Sequence, residues 1–334
     1  TIEKFHICSW EFINGSSLIE FGGEISYSDI FQNDELLLNL YIPWISKDDK
    51  VTDLYDSLKE PENCKFIFND SVTGNKFLDR GERKDGVIQE FVEREPLCIM
   101  PFFSETIVID NILTIKINLK PYKTIKSEKH PNIYFRFYLE PAISNISTRK
   151  SGISRSTIIY DIKINEKRNL PSNSSINLNE HKLCEIKNCF CFNILPNSYD
   201  LTFFDTAALK NIRTLEFKSF KKYIKDKRVK KDELVVVFNK KRGEESYSFF
   251  SIYSKERIGA GQFALAVFVN LVCGILLFIP SYKTQKSVSL LSKTFWNELP
   301  LEVYISISIG IILLVYFLWP KIILPIRQLI KKLF

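Results

Sequence analysis

Two long apolar stretches near the C-terminus place the strongest constraint on how this 334-residue chain can fold. The first runs from Ile258 to Ile279, contains no charged residue and precedes Pro280. The second runs from Leu301 to Trp319, contains one acid at its edge and precedes Pro320. A helix rises ~1.5 Å per residue, so about 20 apolar residues cross a hydrocarbon core of roughly 30 Å. Buried core helices are the alternative, but uncharged runs of this length favour a two-helix transmembrane hairpin.

Charge is distributed unevenly along the chain. Of its 46 Lys+Arg and 39 Asp+Glu residues, 20 and 8 lie in residues 218–334, which leaves 26 and 31 for residues 1–217. The first part is therefore acidic and the second strongly basic. Because phosphate binding needs clustered positive charge, this distribution argues against nucleic acid as a partner of the N-terminal part.

Residues 1–204 show the pattern of a β-rich domain. Apolar and polar residues alternate in short runs separated by turn residues, and the clearest run places Ile133, Phe135, Phe137 and Leu139 on one face. Strand–helix alternation, which marks a parallel α/β sheet, is missing. The pattern predicts a mainly β fold, an antiparallel β-sandwich or barrel-like domain on the cytoplasmic side.

Two details of this domain follow from local patterns. Cys64, Phe66 and Phe68 alternate with Lys65 and Ile67, which predicts a further strand. Residues 167–180 are polar and lack a period, so they predict a long loop or a subdivision of the domain.

Residues 205–257 are interpreted as a basic linker that follows the β-rich domain. Asp205 or Thr206 can cap a helix. Its apolar positions on one side would be Leu209, Ile212, Phe220, Tyr223 and Ile224. Residues 234–238 and 247–253 then predict a β-hairpin around the basic turn Lys240-Lys241-Arg242-Gly243.

The distribution of lysine and arginine predicts the orientation in the membrane. Residues 218–257 contain 13 Lys+Arg and the tail beyond Pro320 contains four, whereas the connection 280–300 contains three. Excess Lys/Arg marks the cytoplasmic side, and residues 1–10 lack the pattern of a signal peptide. We therefore expect the membrane hairpin of residues 258–334 to cross twice, with both termini cytoplasmic, as in a bacterial inner membrane. The tail itself has the pattern of a short amphipathic helix, either at the membrane interface or solvated.

A run of basic residues precedes the first apolar stretch. It consists of Lys218, Lys221, Lys222, Lys225, Lys227, Arg228, Lys230 and Lys231. Such a run can be a topology signal, contact anionic lipid headgroups at ~1 kcal/mol per residue, or bind nucleic acid. Its place next to a predicted membrane helix favours the first two functions, which are compatible with each other.

Four small or polar residues within the apolar stretches are candidates for helix packing. Asn270 and Gly274 are four residues apart on the first stretch, and Ser306 and Gly310 have the same spacing on the second. Small residues let helix backbones approach, and an Asn amide can hydrogen-bond between helices. These residues predict either packing within the hairpin of one chain or self-association of several chains.

The sequence contains no recognised catalytic, cofactor or metal motif. It lacks His-Glu-x-x-His, Gly-x-Ser-x-Gly and the phosphate-binding glycine loop. Cys184, Cys189 and Cys191 cluster near His181, but Cys-Phe-Cys has the alternation of a strand rather than the spacing of a zinc site. We therefore assign no catalytic residue, no metal ligand and no cofactor, and predict a binding role rather than an enzymatic one.

The predicted architecture indicates a membrane-anchored sensor, effector or binding protein. Its cytoplasmic β-rich domain would recognise a protein partner or ligand, and its two-helix hairpin would anchor the chain and oligomerise or perturb the membrane. This plan is similar to that of membrane-disrupting effectors of bacterial defence systems, although no motif identifies a family. Two alternatives stay open: an enzyme acting at the membrane surface on a lipid or anchored substrate, and a structural subunit of a membrane complex.

Overall fold

A computed structural model of the chain shows a mainly β protein. It describes residues 1–334 except 14, 31, 79–84, 110, 127–129, 142–145, 153, 170–182, 231–233, 258, 287–299, 302 and 316–334. Most of the predicted loop 167–180, the end of the second apolar stretch and the amphipathic tail lie outside the described residues.

The described residues form seventeen strands and six helices. The strands are β1 (Ile2–Glu11), β2 (Ser17–Ile25), β3 (Glu35–Tyr41), β4 (Lys50–Asp53), β5 (Val72–Phe77), β6 (Val87–Phe91), β7 (Leu97–Ile99), β8 (Phe103–Ile109), β9 (Ile112–Asn118), β10 (Asn132–Glu140), β11 (Thr148–Ser151), β12 (Arg155–Ile164), β13 (Asn188–Pro196), β14 (Asp200–Phe204), β15 (Leu209–Thr214), β16 (Leu234–Arg242) and β17 (Tyr247–Glu256). The helices are α1 (Tyr55–Leu58), α2 (Pro61–Phe68), α3 (Lys120–Lys123), α4 (Phe217–Ile224), α5 (Ala260–Lys286) and α6 (Val303–Val315). Single 3₁₀ turns occur at Tyr27–Asp29 and Lys167–Asn169.

The strands form three sheets. The largest has ten strands in the order β15-β16-β13-β1-β2-β10-β7-β6-β5, with β4 also paired to β10. A second sheet has the order β11-β12-β17-β14, and a third the order β3-β9-β8. Residues of all three sheets meet in one hydrophobic core, to which they contribute Phe21, Phe137, Ile115 and Phe249. The mainly β fold predicted from the alternating pattern is confirmed.

The large sheet is mixed, so the prediction of an antiparallel architecture is wrong. β1 pairs with β13 in parallel and β10 pairs with β7 in parallel, whereas β1 and β2 are antiparallel. Parallel neighbours need a long connection between them. The chain between β1 and β13 and that between β7 and β10 are both long enough, and alternation of residue types cannot reveal this pairing.

The segment that contains Cys64, Phe66 and Phe68 is a helix, not the predicted strand. Pro61 occupies the first turn of α2, where its missing N–H is not needed. Asn69 ends the helix in the left-handed conformation, with φ 51°. These two end signals outweigh the alternation of apolar residues between them.

The linker also differs from its prediction in two respects. Residues Leu209–Thr214 form a strand paired with β16, so the helix predicted from Asp205 onwards is confined to α4. The expected hairpin of β16 and β17 does not form, because β16 pairs with β13 on one side and β15 on the other. With both edges of β16 occupied, β17 pairs in the second sheet with β14.

The chain divides into two compact units. The first comprises Thr1–Lys150 with Thr157–Lys255, and the second comprises Ser151–Ser156 with Glu256–Phe334. Residue 204, the predicted end of the β-rich domain, lies inside the first unit, whose sheets also include β15, β16 and most of β17.

The second unit contains one described helix that is long and apolar enough to span a membrane. This helix is α5, and residues Gly261–Phe278 are its 18-residue apolar segment, none of which is buried. α5 continues to Lys286, so it passes Pro280 and extends beyond Ile279, the end of the apolar stretch that predicted it. A proline removes one backbone donor, which a helix can tolerate. The other apolar helix, α6, has 13 described residues.

Candidate functional site

The basic run begins on helix α4, which has one apolar and one basic side. Phe220, Tyr223 and Ile224 are buried, whereas Lys218 and Lys221 are exposed. Tyr223 and Ile224 follow Phe220 by three and four residues, which is the spacing of residues on one face of a helix. The sequence analysis had placed the same apolar residues on one side of a longer helix.

Aromatic contacts hold the buried side of α4. The Phe220 ring packs edge-on against Trp10 at 5.4 Å between centroids, and against Phe66 at 4.6 Å. Trp10 lies on β1 and Phe66 on α2, so α4 packs on the large sheet and on a neighbouring helix. Edge-to-face aromatic pairs of this kind contribute ~0.5–1.5 kcal/mol each beyond the buried area.

A buried polar network fixes the same helix. Arg136 donates through Nε and Nη2 to Glu20 Oε2, at 2.8 and 2.7 Å, and these residues are 6% and 1% exposed. Trp10 Nε1 donates to Glu20 Oε1 at 2.6 Å, and the Tyr223 hydroxyl donates to Glu20 Oε2 at 3.2 Å. Burial raises the pKa of Tyr223 well above its usual value, so the hydroxyl keeps the proton that it donates. A further bond, from Ser57 Oγ to the Tyr223 carbonyl at 2.7 Å, ties α4 to α1.

Two of the predicted lipid-contact residues have partners within the protein. Lys222 forms an ion pair with Glu62 of α2. Arg228 forms ion pairs with Asp226 and Glu140, both at 2.6 Å, and its guanidinium lies 4.5 Å from the Phe12 ring centroid. Arg228 therefore joins the segment after α4 to the sheet.

The remaining lysines of the run form an exposed group. Lys225 ends α4 in the left-handed conformation, with φ 58°, and Lys227 and Lys230 follow it. Lys221 lies 5.1 Å from the Phe217 ring centroid. Lys231 lies outside the described residues. We call Lys218, Lys221, Lys225, Lys227 and Lys230 the basic face, and in the part of the chain that the structure describes none of them forms an ion pair.

The four candidate packing residues of the apolar helices separate into two pairs. Ser306 and Gly310 lie on the half-buried side of α6, and a Cβ at Gly310 would lie 4.0 Å from Phe268 Cε2 of α5. Asn270 and Gly274 lie on the exposed side of α5, and no described atom lies within 4 Å of a Cβ added at Gly274. The structure therefore places Gly310 next to α5, with Ser306 on the same half-buried side of α6, and places Asn270 and Gly274 on the exposed side of α5.

The cysteine cluster contains buried strand residues, as its alternation predicts. Cys189 and Cys191 lie on β13 and are fully buried, whereas Cys184 is exposed. Burial raises the pKa of the Cys191 thiol to about 12, which keeps it protonated at neutral pH. His181 lies outside the described residues. Among the described residues no group of three His, Cys, Asp or Glu side chains could hold a metal ion.

Sequence reasoning missed two features of the first unit. One is the buried Glu20–Arg136 pair. Its only indication in the sequence is one charged residue at a core position of each of two strands. The other is a surface pocket of 270 Å³ between the start of β15 and the end of β16. Its basic residues Lys240, Lys241 and Arg242 were predicted to form a hairpin turn. That prediction did not place them near Lys210, which lines the same pocket.

No protein-family model matches this sequence, and no curated protein matches it either.

Proposed function

We propose that this protein is a membrane-anchored binding protein. Its β-rich unit recognises a partner or ligand in the cytoplasm, and its C-terminal helices anchor it and associate with other copies. The observation that carries the proposal is the apolar segment Gly261–Phe278 of α5, none of whose residues is buried. Covering apolar surface contributes ~25 cal/mol per Å², so a helix of this kind is stable where an apolar medium surrounds it.

The two-pass arrangement is part of this proposal. The half-buried side of α6 contacts α5 through Gly310 and Phe268, as expected for neighbouring antiparallel helices. In sequence the apolar stretch continues beyond α6 to Trp319, which gives it the length of a span. The lysine distribution supports cytoplasmic positions for both termini, and a bacterial inner membrane is the membrane that we propose.

Cysteine labelling tests the anchor and its orientation together. Cys184 is exposed on the first unit, while Cys8, Cys64, Cys98, Cys189 and Cys191 are buried. An impermeant maleimide should therefore label Cys184 only after cells that express the chain are permeabilised. In a Cys184→Ser background, Ser289→Cys in the connection between the helices should be labelled in intact cells. Labelling of Cys184 in intact cells would overturn the orientation, and a purified chain that stays monodisperse without detergent would overturn the anchor.

Contact between the basic face and anionic headgroups is a second part of the proposal. The support is that α4 is fixed on its apolar side while these five lysines are exposed. Each lysine near an anionic surface contributes ~1 kcal/mol. Hydrogen exchange of α4 should be slower in nanodiscs with anionic lipid than in zwitterionic ones, and the difference should shrink as salt is raised. Arg228→Gln is a poor test because Arg228 holds the fold, so Lys218, Lys221 and Lys227 should be changed to Gln together. If hydrogen exchange of α4 is equally fast in anionic and zwitterionic nanodiscs, the basic run acts only as a topology signal.

Self-association is the third part, and it would make the hairpin an effector as well as an anchor. Asn270 and Gly274 lie on the side of α5 that does not contact α6. An amide in lipid is costly without a hydrogen-bond partner, and Gly274 one turn away allows a second helix to approach. A second copy of the chain supplies both the partner amide and the close contact. The mass of the complex extracted in mild detergent measures this association directly, and a monomeric mass would rule it out.

A further inference from the structure

Half of the residues that line the surface pocket of the first unit are cationic. The pocket lies where β15 begins beside the end of β16, and its volume is 270 Å³. Its lining consists of Asp205, Ala207, Ala208, Lys210, Lys240, Lys241, Arg242 and Glu244. Four cationic side chains thus face two acidic ones, and two alanines leave the pocket open.

The sheet register brings these cations together. Lys240, Lys241 and Arg242 are consecutive at the end of β16, and the backbone N–H of Lys240 donates to the Ala208 carbonyl at 2.9 Å. This bond places the residues just before β15 against the basic end of β16. Lys210, two residues after Ala208, is thereby held at the same pocket.

Only one of the four pocket cations forms an ion pair within the described residues. Lys241 forms an ion pair with Asp205 at 3.1 Å. Within the described residues, no ion pair involves Lys210, Lys240, Arg242 or Glu244. The Lys240 ammonium instead lies 4.9 Å from the centroid of the Phe190 ring.

The pKa of Lys240 reports the same local field. Partial burial lowers it from its usual value, and the nearby charges of Arg242, Lys4 and Lys210 lower it further. Each of these cations repels the proton on Lys240, so an anion that entered the pocket would relieve the repulsion.

We propose that this pocket binds a phosphate group, either of a soluble phosphorylated ligand or of a lipid headgroup. A phosphate presents several acceptor oxygens, so the point charges of Lys210 and Lys240 and the planar fork of Arg242 can each bind a different oxygen. A carboxylate carries a single negative charge, whereas a phosphate monoester carries about −1.5 to −2 at pH 7, so a phosphate balances more of the charge of these three cations. The proposal does not depend on the membrane anchor or on self-association.

Pyrophosphate is the probe for the soluble source. The full chain is placed in nanodiscs of zwitterionic lipid and titrated calorimetrically at constant ionic strength, with sodium chloride as the blank. We expect saturable binding that the Lys210→Gln/Arg242→Gln variant weakens at least tenfold. Both side chains are exposed, so their replacement should leave the fold intact. Lys65→Gln, an exposed lysine on α2, is the matched control and should bind as the wild type does.

A lipid phosphate is tested with nanodiscs that contain phosphatidic acid, by hydrogen exchange at Leu209–Thr214. Slower exchange that the double variant abolishes and Lys65→Gln preserves would identify a headgroup, whereas pyrophosphate binding in zwitterionic discs would identify a soluble ligand. Either result supports the phosphate site. Binding or protection that the double variant leaves unchanged, or the absence of both in the wild type, would overturn it.

Discussion

The two units of this protein place polar and apolar groups in opposite positions. In the first unit Glu20 and Arg136 are buried, and each is matched by charge and hydrogen bonds inside the core. In the second unit large apolar side chains cover the outside of α5, and the Asn270 amide lies among them. The first arrangement suits a protein surrounded by water and the second a protein surrounded by lipid.

This difference predicts that a charged side chain is costly in the interior of the first unit and on the outside of α5 in the second. An unpaired charge is expensive in the interior of the first unit, because water is excluded from it. On the outside of α5 a charge is expensive as well, if lipid takes the place of water there. Substitutions of equal chemistry in the two units therefore test whether their surroundings differ.

The largest effect is expected when the buried ion pair is broken from one side. Arg136→Met keeps an apolar side chain of similar length but leaves the Glu20 carboxylate in the core without its cation. Removing one partner of a buried pair costs about 3–5 kcal/mol of unfolding free energy. Urea unfolding of the full chain in nanodiscs, followed by tryptophan fluorescence to which the fully buried Trp10 contributes, measures the loss.

A second substitution separates the pair from the packing around it. Glu20→Gln in the Arg136→Met background removes the stranded charge, while the amide oxygen still accepts from Trp10 or Tyr223. The double variant should therefore recover much of the lost stability, as coupled neighbours do in a mutant cycle. If the double variant were less stable than Arg136→Met alone, packing rather than charge would hold this region.

The next largest effect compares the same exchange, Val to Lys, at two exposed positions. Val269 is 48% exposed near the middle of the apolar segment of α5, and Val92 is 63% exposed after β6 of the first unit. A lysine at the centre of a membrane helix costs about 2.5–3.5 kcal/mol, whereas an exposed surface substitution changes stability by about 0.5 kcal/mol or less. Val269→Lys should reduce the carbonate-resistant membrane fraction, and Val92→Lys should not. If both variants have the same carbonate-resistant membrane fraction, the surroundings of Val269 and Val92 do not differ as proposed.

A smaller effect concerns pH and one carboxyl group of the first unit. Asp53 accepts hydrogen bonds from the backbone N–H groups of Tyr55 and Phe102, at 2.8 and 3.1 Å. Burial, with a smaller contribution from Asp56, raises its pKa from 3.8 to about 7. Because the folded pKa is the higher one, the stabilisation is complete below about pH 4 and is lost as pH rises through 7. The unfolding free energy should fall by at most about 1.4 kcal/mol per pH unit in this window.

The measurement should cover about pH 4.5 to 7, where Asp53 is protonated in the folded chain and ionised in the unfolded one. Within this range His6 opposes the trend, because burial lowers its pKa and its protonation then favours the unfolded chain. Glu11 acts in the same direction as Asp53, since burial raises its pKa too. Asp53→Asn should therefore reduce the slope of unfolding free energy against pH without abolishing it. A variant with the slope of the wild type would show that Asp53 is ionised in the fold.

Much of the β structure follows from alternation of residue types, and its arrangement does not. The run from Ile133 to Leu139 was predicted as a strand and forms the centre of β10. Alternation reports which residues share a face, but the partner of a strand depends on distant parts of the chain. For that reason, alternation could not predict that β1 pairs in parallel with β13 or that β16 and β17 lie in different sheets.

The candidate sites were predictable to different degrees for a related reason. The lysines of α4 are close in sequence, so the basic run was recognised from sequence alone, and Phe220 and Tyr223 were predicted to share one side of the helix. The pocket cations Lys210 and Lys240 are thirty residues apart and converge only because β15 pairs with β16. The Glu20–Arg136 pair likewise depends on β2 lying beside β10.

The smallest effect tests whether α5 contacts another copy through its polar position. Asn270→Leu should leave the chain inserted, because Leu is well tolerated in lipid, yet reduce the oligomer recovered in mild detergent. An interhelical bond of this type contributes about 0.6 kcal/mol on average, so the loss should be partial unless several subunits each contribute one bond.

Gln262→Leu, near the start of α5, is the matched control and should keep the wild-type mass, because Gln262 lies at the edge of the apolar segment. Gly310→Leu should disturb the contact with Phe268 within one chain and serves as the second comparison. If Asn270→Leu changes neither the mass of the extracted complex nor the ion permeability of proteoliposomes, the helices act as a passive anchor. The exposed amide then forms no bond that stabilises an oligomer.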